Sequence, residues 1–158
     1  GHIFYFGDKY SKPMSCSVDS KEGKKTFVKM GSYGIGVSRL VAAIIEAKYK
    51  NEKMKWPLTV APFDVVIIPS FNKNNDLNLK KAMKVYDELK GAGIDVLLDD
   101  EEDNMANKFK KHDLIGIPFQ IILGSKSQKD KYEFKEIDGD SKMLDLSNIL
   151  TELKKYFV

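Results

Sequence analysis

The sequence predicts an α/β protein: a mixed β-sheet domain flanked by helices, preceded by a smaller piece of antiparallel strands and one helix. Three observations predict it. In the second part of the chain, short β-branched runs alternate with segments of helical spacing. A stretch with prolines at 57 and 62, "NEKMKWPLTVAPFD", separates that part from the first. The first part is rich in strand formers, with a polar turn between them.

Taken in order, "HIFYFGDKY" and "KKTFVKMG" read as adjacent antiparallel strands joined across the polar residues 17–25, which include Gly23. A strand then runs through the glycines of "GSYGIG" into a helix, "VSRLVAAIIEAKY". There Leu40, Val41, Ile44, Ile45 and Tyr49 recur at helical spacing. After the break, "FDVVIIPS" has the continuous apolar character of a buried strand. "NDLNLKKAMKVYDELKGAG" reads as a helix with Leu79, Met83, Tyr86 and Leu89 inward, ended by Gly91. "IDVLLDD" is a second buried strand, and a helix over about 105–114 stops before Gly116 and Pro118. "FQIILG" is a third strand, and "KYEFKEI" alternates like a half-exposed hairpin strand turning at "DGD". A last helix, "LSNILTELKKYFV", carries Ile149, Leu150, Leu153 and Phe157 on one side, with Ser147 placed to cap it.

Composition narrows the classes. With 42% hydrophobic and 31% charged residues the 158-residue chain is of globular type, and its longest apolar run, "LVAAII", is far too short for a bilayer. Gly1 leads straight into "HIFYF" without the pattern of a secretory leader. The single cysteine, Cys16, allows neither an internal disulfide nor a cysteine metal cluster, so a reducing compartment and no metal site are expected. Residues 1–60 hold ten lysines and one arginine against five acids, while residues 61–158 hold fifteen lysines against eighteen acids. The basic first part weakly favours a phosphate-bearing partner over a merely solvated surface.

"GSYGIGVSRL" places Gly31, Gly34 and Gly36 just ahead of Arg39, the one arginine of the chain. Glycines at a strand-to-helix turn let backbone N–H groups approach an anion, and a guanidinium in the first helical turn can grip phosphate with two parallel hydrogen bonds. The alternative is that the glycines serve tight packing and Arg39 lies in solvent. The pattern is neither a P-loop nor a dinucleotide fingerprint, since Arg39 stands where a third glycine would belong.

"GHIFYFGDKYS", "MGSYGIGVSRLVAAIIE", "WPLTVAPFDVVIIP", "GIDVLLDD" and "DLIGIPFQIILG" together resemble, in order and spacing, bacterial-type prolyl-tRNA synthetase, a class II aminoacyl-tRNA synthetase. The resemblance covers nearly the whole chain. It implies that residues 1–56 are the end of a catalytic domain, 57–62 a linker and 63–158 the anticodon-binding domain shared by the synthetases for proline, threonine, glycine and histidine. "GIGVSR" is similar to the third class II signature motif, which makes Arg39 the catalytic, ATP-binding arginine on the γ-phosphate. Gly34 and Gly36 would then leave room for the nucleotide, and His2, Ser32 and Gly34 would border the proline pocket. Ser32 is similar to alphaproteobacterial and organellar-type members, where many others carry cysteine. Without the resemblance, His2 would read as an ordinary strand residue.

The implied reaction joins proline to tRNA(Pro) through prolyl-adenylate, with ATP and Mg²⁺, in a homodimeric enzyme of the cytoplasm or an organellar matrix, without a membrane. The first two signature motifs have no counterpart here, so the chain is expected to be the C-terminal part of that enzyme and inactive alone. An exposed apolar surface on residues 1–60 is then expected.

The chain departs from the family after "LLDD". Where most members carry a basic R-x-x-R-x-G-x-K-F pattern, it has "EEDNMANKF", so that Glu101 and Asn104 replace arginines and Ala106 the glycine. Residues 99–103 are five consecutive acids, which repel phosphate. The anticodon candidates are Asp99 and Asp100, as acceptors for base amino groups, with Lys108 and Phe109. Lys108, Lys110, Lys111 and His112 form either a displaced basic face or a solvated helix surface. Asp99 and Asp100 read equally as a strand-end turn near a helix N-terminus. Two other functions remain open: a non-catalytic tRNA-binding module, and a synthetase-like paralogue that uses the fold without aminoacylation.

Overall fold

A computed structural model describes residues 1–71, 77–124, 127 and 130–156. The chain divides into two compact units, Gly1–Ala43 and Ile44–Val158.

In the first unit, β1 (His2–Gly7) pairs antiparallel with β4 (Met30–Gly34), placing His2 opposite Gly34 and Phe4 opposite Ser32. The register shifts between Tyr5 and Gly7, where Gly7 takes φ 56°. The polar stretch between these strands is more than a turn. β2 (Ser17–Asp19) and β3 (Lys25–Phe27) pair within it as a small hairpin, with Gly23 at φ 73° and the Ser20 hydroxyl accepting from the N–H groups of Glu22 and Lys24. His2, Phe4 and Phe6 alternate onto one face of β1, and their rings stack at 6.0 and 6.2 Å. Helix α1 (Val37–Lys48) follows β4, as the spacing predicts, but it buries none of its residues.

The second unit is built on a five-stranded sheet, ordered β6-β5-β7-β8-β9. β5 (Val65–Pro69) lies parallel to β6 (Val96–Leu98) and β7 (Phe119–Leu123); β8 (Tyr132–Glu136) and β9 (Lys142–Leu144) continue antiparallel. β5 and β7 are buried on both faces, which is why β5 reads as an unbroken apolar run and β7 as one interrupted only by the buried Gln120. One face carries Val65, Ile67, Phe119, Ile121 and Leu123, covered by Ala82, Val85 and Leu89 of α2 (Leu77–Gly91) and by Ile149 and Leu153 of α4 (Leu146–Lys154). The other carries Val66 and Ile68, packed against Met105 and Phe109 of α3 (Met105–Ile115). The result is a three-layer α/β sandwich.

Three sequence expectations are corrected. The strands expected of "HIFYFGDKY" and "KKTFVKMG" are not simple neighbours: β3, inside "KKTFVKMG", pairs with β2, and β1 pairs with β4, which begins only at Met30. Met83 is 48% exposed, because Ala82 and Val85 meet the sheet in its place, while Leu89 is buried and Tyr86 packs on the core as expected. The N-cap of α4 is Asp145: its carboxylate accepts from the Asn148 N–H at 2.8 Å, and the Ser147 hydroxyl donates to the same carboxylate at 2.7 Å. Phe157, and the first residues of the α2 pattern at 75–76, lie outside the described residues.

Ahead of the sheet, the segment around Met54 is tied to the end of α3. The Met54 N–H donates to the Asp113 carbonyl at 2.9 Å, and the Trp56 indole donates to the Ile115 carbonyl at 2.8 Å. Gly116 ends α3 at φ 81°, and a Cβ there would lie 2.5 Å from the Met54 carbonyl oxygen. Only glycine fits that conformation and that gap.

Candidate functional site

The sequence candidates fall in two places, one in each unit. In the first unit, pairing of β1 with β4 brings His2 opposite Gly34, with Ser32 two positions further along the same face. All three are exposed. Nothing lies within 4 Å of a Cβ built on Gly34, so the face is open there. Gly36 leads into α1, its carbonyl accepting from the N–H groups of Arg39 and Leu40 at 3.1 and 3.2 Å. Arg39 therefore projects from the first turn of the helix; it is exposed, and among the described residues no carboxylate pairs with it. A free guanidinium at a strand-to-helix turn, next to a face carrying a histidine and a serine, suits an anion beside a small polar ligand.

The second place is the carboxyl end of the parallel strands, where α2 and α3 leave for opposite faces of the sheet. Such strand ends are where α/β sheets hold ligands. β6 ends into Asp99 and Asp100, and α3 begins behind its N-cap Asn104, whose side chain accepts from the Asn107 N–H at 2.9 Å. The inward stripe of α3 is Met105, Lys108, Phe109 and His112, so two polar residues occupy helix positions that normally hold apolar ones. Lys108 is 0% exposed. Its Nζ donates to the Pro69 carbonyl at 3.3 Å and the Asp99 carbonyl at 3.1 Å, lies 3.4 Å from Asp99 Oδ1, and sits 4.4 Å from the centre of the Phe71 ring. It thus ties the end of β5 to the end of β6.

Asp99 is the centre of this arrangement. Its Oδ2 lies 2.6 Å from His112 Nε2 and 2.9 Å from Lys111 Nζ, while Oδ1 accepts from the Glu101 N–H at 3.3 Å. Lys111 also reaches Glu101 at 2.9 Å. Burial alone would raise the Asp99 carboxyl, but the Lys111 and His112 hydrogen bonds and the Lys108 charge outweigh it and hold it at about 2. Burial pushes His112 below the ordinary histidine value against the pull of Asp99, so a neutral ring donates Nε2–H to the carboxylate. Its Nδ1 is buried with no partner among the described residues. Burial also pushes Lys108 below the lysine range, whereas the Glu101 and Asp99 hydrogen bonds raise Lys111 over the opposing effect of burial.

This geometry changes how the strand-end candidates are read. Lys108 and His112 face inward rather than forming a basic face, because each is needed to neutralise or hold the buried Asp99. The acceptor positions of Asp99 are filled from within, which leaves Asp100 as the exposed carboxylate at the end of β6. Phe109 is half-buried under Lys135, whose Nζ lies 5.5 Å from the ring centre. The inward role of His112 was signalled only by its i+4 spacing from Lys108 in a stripe begun by Met105.

The fold is thus a helix-flanked mixed α/β sheet with an exposed carboxylate, Asp100, at its strand ends. The chain matches the anticodon binding domain family over residues 64–156, and it belongs to that family. It is also similar to proteins named proline–tRNA ligase: it is 57% identical to that of Pelagibacter ubique over 98% of this chain and 36% of the relative. Identity is 54% to that of Agrobacterium fabrum, over 80% of this chain and 29% of the relative, and 45% to that of Bartonella quintana, over 96% and 35%. The chain thus spans about a third of the length of these curated relatives.

Proposed function

We propose that the chain is the C-terminal part of a proline–tRNA ligase, in which residues 63–158 read the anticodon of tRNA(Pro) and residues 1–56, joined through a linker at 57–62, form one wall of the ATP and proline site. The observation that carries this reading is the similarity to proline–tRNA ligases over 98% of the chain, which includes the glycine–arginine segment as well as the anticodon-binding domain.

In this reading proline's carboxylate attacks the α-phosphate of ATP in line, giving prolyl-adenylate and pyrophosphate; the prolyl group then passes to the terminal adenosine of the tRNA. Positioning and charge neutralisation carry such a displacement, and no protein nucleophile is required. Arg39 grips the γ-phosphate and stabilises charge on the departing pyrophosphate. Gly34 and Gly36 keep side chains out of the nucleotide's way, and His2 and Ser32 border the proline. Mg²⁺ would shield the phosphates; among the described residues no group of three or more His, Cys, Asp or Glu could hold a metal. At the anticodon, Asp100 accepts from a base amino group and Phe109 offers part of a ring, while Asp99 and Lys108 hold the strand ends in place. The complete enzyme is a homodimer working in the cytoplasm or an organellar matrix; no described helix is long and apolar enough to cross a membrane.

The test is proline-dependent ATP–pyrophosphate exchange by the complete enzyme carrying Arg39→Lys. Loss of the bidentate grip lowers the exchange rate about a hundredfold or more. An unchanged rate contradicts the role of Arg39. No exchange at all in the unaltered complete enzyme contradicts the ligase reading and leaves a tRNA-binding module or a paralogue.

A further inference from the structure

Beyond the strand ends, the second unit has an open cleft of about 560 Å³ whose lining includes Lys48, Lys50, Lys53, Lys55 and Lys135 against the single carboxylate of Asp138. Four of these lysines come from the eight residues 48–55, and the fifth from β8. Lys55 is shared with Asp138 at 3.4 Å and Glu136 at 3.9 Å, and Lys53 leans on Asp113 at 3.6 Å. Among the described residues, Lys48, Lys50 and Lys135 have no carboxylate within 4.0 Å. The cleft is therefore positive beyond what its own acids neutralise, although residues 61–158 as a whole carry more acids than lysines.

The local backbone is shaped to gather these charges. Lys50 and Lys53 exchange both backbone hydrogen bonds, at 2.9 and 3.0 Å, across a two-residue turn in which Asn51 and Glu52 take φ 50° and 61°. Left-handed conformations at two successive non-glycine residues make a tight reversal that sets two lysines side by side. Lys53 also borders a neighbouring cleft of about 350 Å³, to which Tyr49 and Lys110 contribute.

We propose that this lysine cleft grips the phosphodiester backbone of an RNA strand, separately from the strand-end site that reads bases. The lining carries no aromatic ring on which a base could stack and no arginine fork. Spaced lysine point charges in an open cleft suit successive phosphates of any sequence, and contacts of that kind fix register while base contacts supply specificity. The choice of RNA over another polyanion rests on the anticodon reading proposed above.

The test uses the full 158-residue chain and a tRNA(Pro) transcript, with binding measured across a series of salt concentrations. A triple variant, Lys48→Gln with Lys50→Gln and Lys53→Gln, removes three of the four lysines that residues 48–55 give the cleft and keeps Lys135, which lies over Phe109, in place. Each lost phosphate contact lowers the slope of log K against log salt by roughly 0.7 to 0.9, so the slope falls by about 2 while the ratio of affinities for native and anticodon-substituted transcripts stays the same. A control with Lys12→Gln, Lys21→Gln and Lys25→Gln removes equal charge outside the cleft and keeps the slope. The cleft has no such role if its triple variant keeps the wild-type slope, if the control loses as much, or if polyglutamate of equal charge competes as well as RNA. Should the triple variant fail to fold, Lys50→Gln alone is expected to lower the slope by just under 1, and an unaltered slope contradicts the proposal. Failure of the anticodon reading looks different: the unaltered chain then shows no preference between transcripts, while the salt slopes still test the cleft.

Discussion

At Asp99, two lysines and a histidine converge on one buried carboxylate, and the consequence is a local dependence on acid. His112 is held below its unfolded value, so as pH falls through about 6.5 the unfolded chain takes up that proton first and stability declines. Asp99 is also held below its unfolded value of 3.8, at about 2, so its contribution is complete above pH 4 and disappears between about 4 and 2. The shift corresponds to about 2 kcal/mol. Denaturant titrations followed by fluorescence of Trp56, the one tryptophan, which is bonded to the end of α3, are expected to show both declines; a flat profile from pH 7 to 2 contradicts them. Lys108→Met strands the buried Pro69 and Asp99 carbonyls and removes a counter-charge, costing about 3 kcal/mol or more in the same assay. The sequence marks Asp99 and Lys108 among the anticodon candidates but not their inward direction. A lysine on a helix reads as solvated until the facing strand end is known.

Among the elements, those with a strong period were legible and those that depend on partners were not. β5 and β7 are legible as apolar runs, broken in β7 only by Gln120, because both their faces are covered. In α2, Leu89 is buried and Tyr86 packs on the core as the spacing predicts, but Ala82 and Val85 rather than Met83 meet the sheet, since only contact with the sheet selects among neighbouring apolar positions. β2 is hidden in a polar stretch, and β3 reads as a strand but with β1 as its expected neighbour, because a three-residue hairpin buries too little to leave an apolar pattern that fixes its pairing. Gly116 was read as a stop signal, yet its structural role is larger: it admits the Met54 backbone against the end of α3. Gly116→Ala meets both the left-handed strain and a carbonyl at 2.5 Å, so a loss of about 2 kcal/mol or more is expected in thermal unfolding. A melting temperature unchanged by that substitution contradicts the close approach.

For the whole molecule, the two units differ in what they bury. The sheet of Ile44–Val158 encloses a core of its own, while in Gly1–Ala43 the facing pair Ile3 and Tyr33 are 88% and 85% exposed. Exposed apolar side chains of that extent are of the kind that mark an interaction surface. The α/β architecture, the glycine-to-helix turn and the family were all readable from residues in order. The lysine cleft was not, because a tight turn and a strand some eighty residues later assemble it. For the anticodon reading proposed above, the deciding measurement is equilibrium binding of the 158-residue chain to a tRNA(Pro) transcript and to the same transcript with its anticodon bases replaced. Each lost base contact is worth about 1–3 kcal/mol, so replacement is expected to weaken binding at least about tenfold. Equal affinity for the two transcripts would contradict it.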